Sequence, residues 1–107
     1  MARLAHRRPA HMLERDIEKY FKGCVTAKGG EIRKVKWVNR PHAPDRVVFL
    51  RGVYFVELKR PGEDLRPGQA REHKRMKLGG ADVRTISTIA EVDAFISELV
   101  GKWQDQG

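Results

Sequence analysis

The sequence predicts a single α/β domain, a mixed β-sheet flanked by helices, with its elements in the order α-β-β-β-α-β-α. Three observations lead there. Apolar residues recur at helical spacing in the first third of the chain (Leu13, Ile17, Tyr20, Phe21, Cys24). Two β-rich runs, Arg46 to Leu50 and Val53 to Lys59, stand either side of Arg51-Gly52 as a hairpin requires. A helical stretch then separates Lys59 from the run Val83-Arg84-Thr85-Ile86. A crossover of that length makes the strands it joins parallel and right-handed.

Taken in order, residues 1–11 carry Arg3, His6, Arg7, Arg8 and Pro9 and read as a flexible basic arm, with the domain proper over 12–104. The first helix starts near Met12 and ends at Gly29-Gly30. Glu14 falls at the border of its apolar face, near Phe21, with Arg15, Lys19 and Lys22 on the solvent side. Glu31 to Val38 alternates in part and predicts a strand. Asn39 to Pro44 is a loop stiffened by two prolines. After the hairpin, Arg60 to Pro67 is a polar loop, and Gly68 to Leu78 predicts a basic helix stopped by Gly79-Gly80. Asp82 to Ser87 is a short strand. Ile89 to Trp103 is a terminal helix with Val92, Phe95, Ile96, Leu99 and Trp103 on one face.

Composition narrows the functional classes. The chain has 107 residues, room for one modest core. It carries 22 Lys and Arg against 14 Asp and Glu, a net charge of +8, which points to a polyanionic partner such as nucleic acid. Cys24 is the only cysteine, so neither an intrachain disulfide nor a Cys-rich zinc site can form. No apolar run approaches the roughly 20 residues that span a bilayer, and the basic N-terminus lacks the apolar core of a secretory signal. An intracellular, cytoplasmic protein is expected, of a prokaryote or a phage-infected cell.

The most informative residues are Asp45, Glu57 and Lys59. Glu57 and Lys59 close an otherwise apolar strand and share one face of it with Val53 and Phe55. Asp45 joins them only under a particular register. A strict two-residue turn at Arg51-Gly52 pairs Leu50 with Val53 and hence Asp45 with Leu58, on the wrong face; a shared site requires a looser, bulged or frayed hairpin. Two carboxylates about 5 Å apart repel by roughly 3 kcal/mol at an effective dielectric near 20, and so favour a cation between them. An all-oxygen site suits Mg²⁺ or Mn²⁺ better than zinc. Such an ion neutralises a scissile phosphate and acidifies a bound water, and Lys59 is placed either to orient that water or to stabilise the transition state.

The string Pro44-Asp45…Glu57-Leu58-Lys59 resembles the PD-(D/E)xK nuclease superfamily, and the wider pattern resembles its VRR-NUC branch (virus-type replication-repair nuclease). The matching residues are Glu14-Arg15-Asp16-Ile17 on the first helix, Asp45-Arg46-Val47-Val48, Gly52-Val53-Tyr54-Phe55-Val56-Glu57-Leu58-Lys59, and Leu65-Arg66-Pro67-Gly68-Gln69. One departure is His42-Ala43-Pro44-Asp45, where the family has Gly-x-Pro-Asp. The resemblance implies a restriction-endonuclease-like fold. It also implies metal binding by Asp45, Glu57 and the backbone carbonyl of Leu58, with Glu14 binding directly or through water, Lys59 near the nucleophile and Gln69 supporting it. Stand-alone members of this branch are similar to junction-resolving enzymes, which implies a homodimer cutting four-way DNA junctions.

Other motifs carry less. His6, His11 and His73 show no ligand spacing with His42, whose expected role is that of a loop histidine. Trp37 and Trp103 fit packing better than base stacking. Arg60, Arg66, Arg71, Lys74 and Arg75 follow the catalytic strand closely and, with Lys36 and Arg46, are the expected DNA contacts. The sequence thus predicts a Mg²⁺- or Mn²⁺-dependent structure-selective endodeoxyribonuclease. A non-catalytic basic nucleic-acid-binding protein, or a nuclease of flaps or other branched DNA, is the alternative.

Overall fold

The computed structural model of the chain describes residues 12–106, so the expected basic arm over 1–11 lies outside the described residues. The element order is the expected one: α1 (Glu14–Ala27), β1 (Glu31–Lys34), β2 (Arg46–Phe49), β3 (Val53–Leu58), α2 (Pro67–Leu78), β4 (Val83–Ile86) and α3 (Ile89–Gln106). The strands form one sheet in the order β1-β2-β3-β4, antiparallel through β1, β2 and β3 and parallel between β3 and β4. The mixed sheet follows from the connections: the loop 35–45 and the short turn after β2 each return the chain antiparallel, whereas α2 carries it back to the starting end.

One sheet face builds the core. Ile17, Phe21 and Val25 from α1 and Val92, Phe95 and Leu99 from α3 close over Val48, Tyr54, Val56, Leu58 and Ile86. Phe95 meets Phe21 and Tyr54 edge-on, at centroid distances of 5.8 and 5.3 Å. The helical spacing of the apolar residues in α1 and α3 is what allows both helices to lay one stripe on the same strands. Gly30 is required by close approach, because a Cβ there would stand 2.6 Å from the Phe49 carbonyl oxygen. Helix α2 lies against β4 on the other side, so the strand face bearing Val47, Phe55 and Glu57 is free of α1 and α3. Among the described residues no helix is long and apolar enough to cross a membrane.

Two elements differ from the sequence reading. The strand expected over Glu31 to Val38 stops at Lys34. Beyond it Val35 still donates to the Asp45 carbonyl at 3.0 Å, but the chain then turns at Val38-Asn39, where Asn39 takes left-handed backbone (φ 61°). The second difference is the hairpin. Its loop is Leu50-Arg51-Gly52, with the Leu50 N–H donating to the Gly52 carbonyl at 3.0 Å and Arg51 in left-handed backbone (φ 50°). Phe49 therefore pairs with Val53, not Leu50 with Val53. The loop is one residue longer than the strict turn.

Candidate active site

That extra loop residue decides the site. The pairs run Phe49↔Val53, Val48↔Tyr54, Val47↔Phe55 and Arg46↔Val56, where the ladder ends; carried one step further, the same register would set Asp45 opposite Glu57. Directly opposed residues in an antiparallel pair point to the same face, with Cβ atoms about 4.5–5.5 Å apart. A one-residue slip would have sent Asp45 through the sheet.

The segment around Asp45 is fastened on three sides. Its carbonyl accepts from Val35, the preceding Pro44 carbonyl accepts from the Trp37 indole N–H at 2.7 Å, and its carboxylate pairs with Arg46 Nη1 at 2.9 Å. Arg46 is only 3% exposed and points to the α1 side, where its Nε donates to Glu18 Oε2 at 2.5 Å. Trp37 also packs on Phe55, centroid to centroid 5.6 Å, so packing is its role here. Replacing Trp37 with Phe keeps most of the packing and removes the hydrogen bond. The expected outcome is a loss of about 1 kcal/mol in urea unfolding and a slower kcat with unchanged DNA affinity.

Glu57 is the unusual group. It is buried on the sheet face opposite the main core, and among the described residues its Oε1 has no hydrogen-bond partner. Burial pushes its carboxyl up to about 7, the charge of Asp45 adds to this, Lys59 opposes it, and Glu14 adds again. The Glu14 carboxylate, on the exposed first turn of α1, is therefore within electrostatic reach of the centre. Lys59 is 4% exposed; its backbone N–H bonds the Ile86 carbonyl at 2.9 Å and its Nζ stands 4.0 Å from Glu63. Leu58, the expected carbonyl ligand, lies between them in β3 with its side chain in the core.

On α2, Gln69 is 5% exposed and its Oε1 accepts from the Arg66 N–H at 3.0 Å, so it closes the helix N-terminus. Glu72 and His73 are buried on the same helix. His73 Nε2 stands 3.7 Å from Glu57 Oε1, and among the described residues neither ring nitrogen has a hydrogen-bond partner. Burial, reinforced by Lys77 and Lys59 against the opposing pull of Glu72, lowers its proton affinity and keeps it neutral. Sequence reasoning missed His73 in this position. The available signal was the polar set Gln69, Glu72, His73 at i, i+3 and i+4, the spacing of a helix face turned inward.

Among the described residues no three His, Cys, Asp or Glu side chains stand close enough to hold an ion by themselves. Of the expected acidic set, Asp45 and Glu14 both act on the Glu57 carboxyl through their charge, Asp45 the more strongly. The fit to a divalent cation rests on Glu57: a buried carboxylate oxygen without a donor among the described residues, pushed up by the charge of Asp45, is a site short of positive charge.

Of the expected DNA contacts, Lys36, Arg60, Arg66, Arg71 and Lys74 are exposed. Arg75 is exposed but pairs with Glu72 at 2.9 Å, which also takes Arg40 at 3.5 Å. Arg46 departs from the exposed position that a phosphate contact needs, because both sides of its guanidinium are spent on Glu18 and Asp45.

A mixed sheet with a carboxylate at the mouth of one strand and Glu-x-Lys ending the next defines a site of the PD-(D/E)xK class. The comparisons agree with it. No family model matches the sequence. The chain is 42% identical over 77 residues to "Putative nuclease p44" of Acyrthosiphon pisum secondary endosymbiont phage 1, covering 70% of this chain and 83% of that protein. It superposes on a solved structure described as "VRR_NUC domain" with a TM-score of 0.71 and 37% identity, over 78% of this chain and 94% of the other. The chain belongs to the VRR-NUC family.

Proposed function

We propose that the chain is a Mg²⁺- or Mn²⁺-dependent endonuclease that hydrolyses phosphodiesters in branched DNA, with four-way junctions as the preferred substrate and a homodimer as the active form. The observation that carries the chemistry is the buried Glu57, without a hydrogen-bond partner at Oε1 among the described residues and within reach of the Asp45 charge, with Lys59 two residues on. Asp45, Glu57 and the Leu58 carbonyl are the groups that would hold the ion, Glu14 reaching it directly or through water. When bound, the ion supplies charge neutralisation at the phosphate and a more acidic water.

The remaining work falls to the chain. Lys59, held out of bulk water, keeps a positive charge beside the reacting phosphate, where it is worth more than at the surface. Gln69 fixes the start of α2, and α2 in turn holds His73 against Glu57. Exposed Arg60, Arg66, Arg71 and Lys74 supply phosphate contacts on the α2 side. A two-fold dimer brings two such centres to opposing strands, which a monomer of this size does not. No base-reading motif is present in the sequence, so shape selects the substrate.

The test is direct. Purified protein is mixed with labelled four-way junction, flap and linear duplex in Mg²⁺, Mn²⁺ or EDTA, and its mass in solution is measured. Metal-dependent symmetric cutting of the junction by a dimer is expected. Binding without cutting under every metal assigns the chain to non-catalytic nucleic-acid binding instead.

A further inference from the structure

A second basic surface lies on the opposite side of the sheet from α2, and the reaction scheme above makes no use of it. Between α1 and the edge strand β1 runs a groove of about 390 Å³, lined among others by Arg15, Lys19, Lys22, Lys34 and the buried pair Glu18–Arg46. Four of these cations, Arg15, Lys19, Lys22 and Lys34, are exposed, and among the described residues none forms an ion pair. The acid in the groove does not neutralise them, because Glu18 is committed to Arg46. Lys34 and Lys22 nevertheless stand near enough to help hold the Glu18 carboxyl below its ordinary range.

The groove has both a direction and an origin. Lys34 pairs with Arg46 across β1 and β2, and Arg46 touches Asp45, so one end of the groove is a single ion pair from the candidate centre. Along α1, Arg15, Lys19 and Lys22 fall at i, i+4 and i+7, one stripe of the helix that brackets Glu18, the partner of Arg46. The stripe is about 10 Å long at 1.5 Å per residue. That matches the axial rise of about three nucleotides along one DNA strand.

We propose that this groove is a second phosphate-binding lane, which takes the backbone of a duplex arm leaving the centre along α1 while another arm follows α2. The lane rests on the nuclease reading for its substrate, and it adds four contacts, Arg15, Lys19, Lys22 and Lys34. Two lanes on opposite sides of the sheet suit DNA whose arms diverge at the centre. A straight duplex engages them less fully.

The experiment compares wild type with Lys19→Ala/Lys22→Ala/Lys34→Ala and with Lys19→Arg/Lys22→Arg/Lys34→Arg. Affinity for a labelled four-way junction is followed by anisotropy in EDTA across a salt series, with circular dichroism as the control for folding. Each phosphate contact contributes about 0.9 to the slope of log affinity against log salt. The alanine variant is expected to lose roughly 2–3 from the wild-type slope and to bind at least tenfold more weakly near 0.1 M salt, whereas the arginine variant keeps both. An unchanged slope in the alanine variant overturns the lane, as does an equal loss in the arginine variant. Metal-dependent cutting by wild type is scored separately. Cutting with an unchanged slope sinks the lane and leaves the nuclease; a lost slope without any cutting does the reverse.

Discussion

Replacing Lys59 with Met is expected to slow single-turnover DNA cleavage at least a hundredfold while leaving junction affinity within about twofold. The substitution retains most of the side-chain volume, so the 4%-exposed site stays filled and the fold survives. Two losses combine. The transition state loses a desolvated positive charge beside the phosphate, and Glu57 loses the cation that opposes the upward push on its carboxyl. The second loss moves the acid limb of the pH–rate profile to higher pH, which a purely steric effect does not. Affinity changes little because the exposed cations of α2 remain in place. Burst rates at saturating metal and anisotropy in EDTA measure the two quantities; a variant that cuts at the wild-type rate removes Lys59 from the chemistry.

Glu57→Gln is expected to abolish cleavage and, in the absence of divalent metal, to stabilise the fold at alkaline pH. Burial first, and Asp45 second, raise the Glu57 carboxyl from 4.5 to about 7 in the folded chain. Below about pH 4.5 both the folded and unfolded states are protonated and the residue costs nothing. Between about pH 4.5 and about 7 the folded state still holds a proton that the unfolded state has lost, and stability falls as pH rises across that range. The full cost, on the order of 3 kcal/mol, is present above that range. Glutamine removes the titration. The variant should therefore melt on the order of 10 °C above wild type at pH 8.5 in EDTA. The two should differ little in stability at pH 4. Equal melting temperatures at both pH values would show that Glu57 bears no such penalty. A stabilising loss of function is the expected mark of a carboxylate buried for chemistry rather than for packing.

Much of this molecule was legible before any coordinates. Ile17 and Phe21 on one helix, and Val92, Phe95 and Leu99 on another, fall where the helical period put them, whereas Leu13 and Tyr20, expected on the same face as Ile17, are exposed and Val25 takes the next core position. The parallel pairing of β3 with β4 followed from the length of the connection between them. The pairing of Glu57 with Lys59 on one strand face followed from the two-residue period. His73 did not read out, because a histidine between Glu72 and Lys74 on a basic helix carries no mark of the strand it will meet. The free surface of Arg46 was misjudged for a similar reason: its partner Glu18 lies 28 residues away.

The sequence by itself determined the class of fold through periodicity, and the family and the candidate catalytic residues through the resemblance of Pro44-Asp45…Glu57-Leu58-Lys59 and its flanking residues to a known motif. Only the tertiary structure decided the hairpin register that leads Asp45 toward the face of Glu57, and that a basic groove opens beside α1. Both depend on how separate segments come to rest against one another: a three-residue hairpin loop sets one, and α1 lying along the β1 edge sets the other.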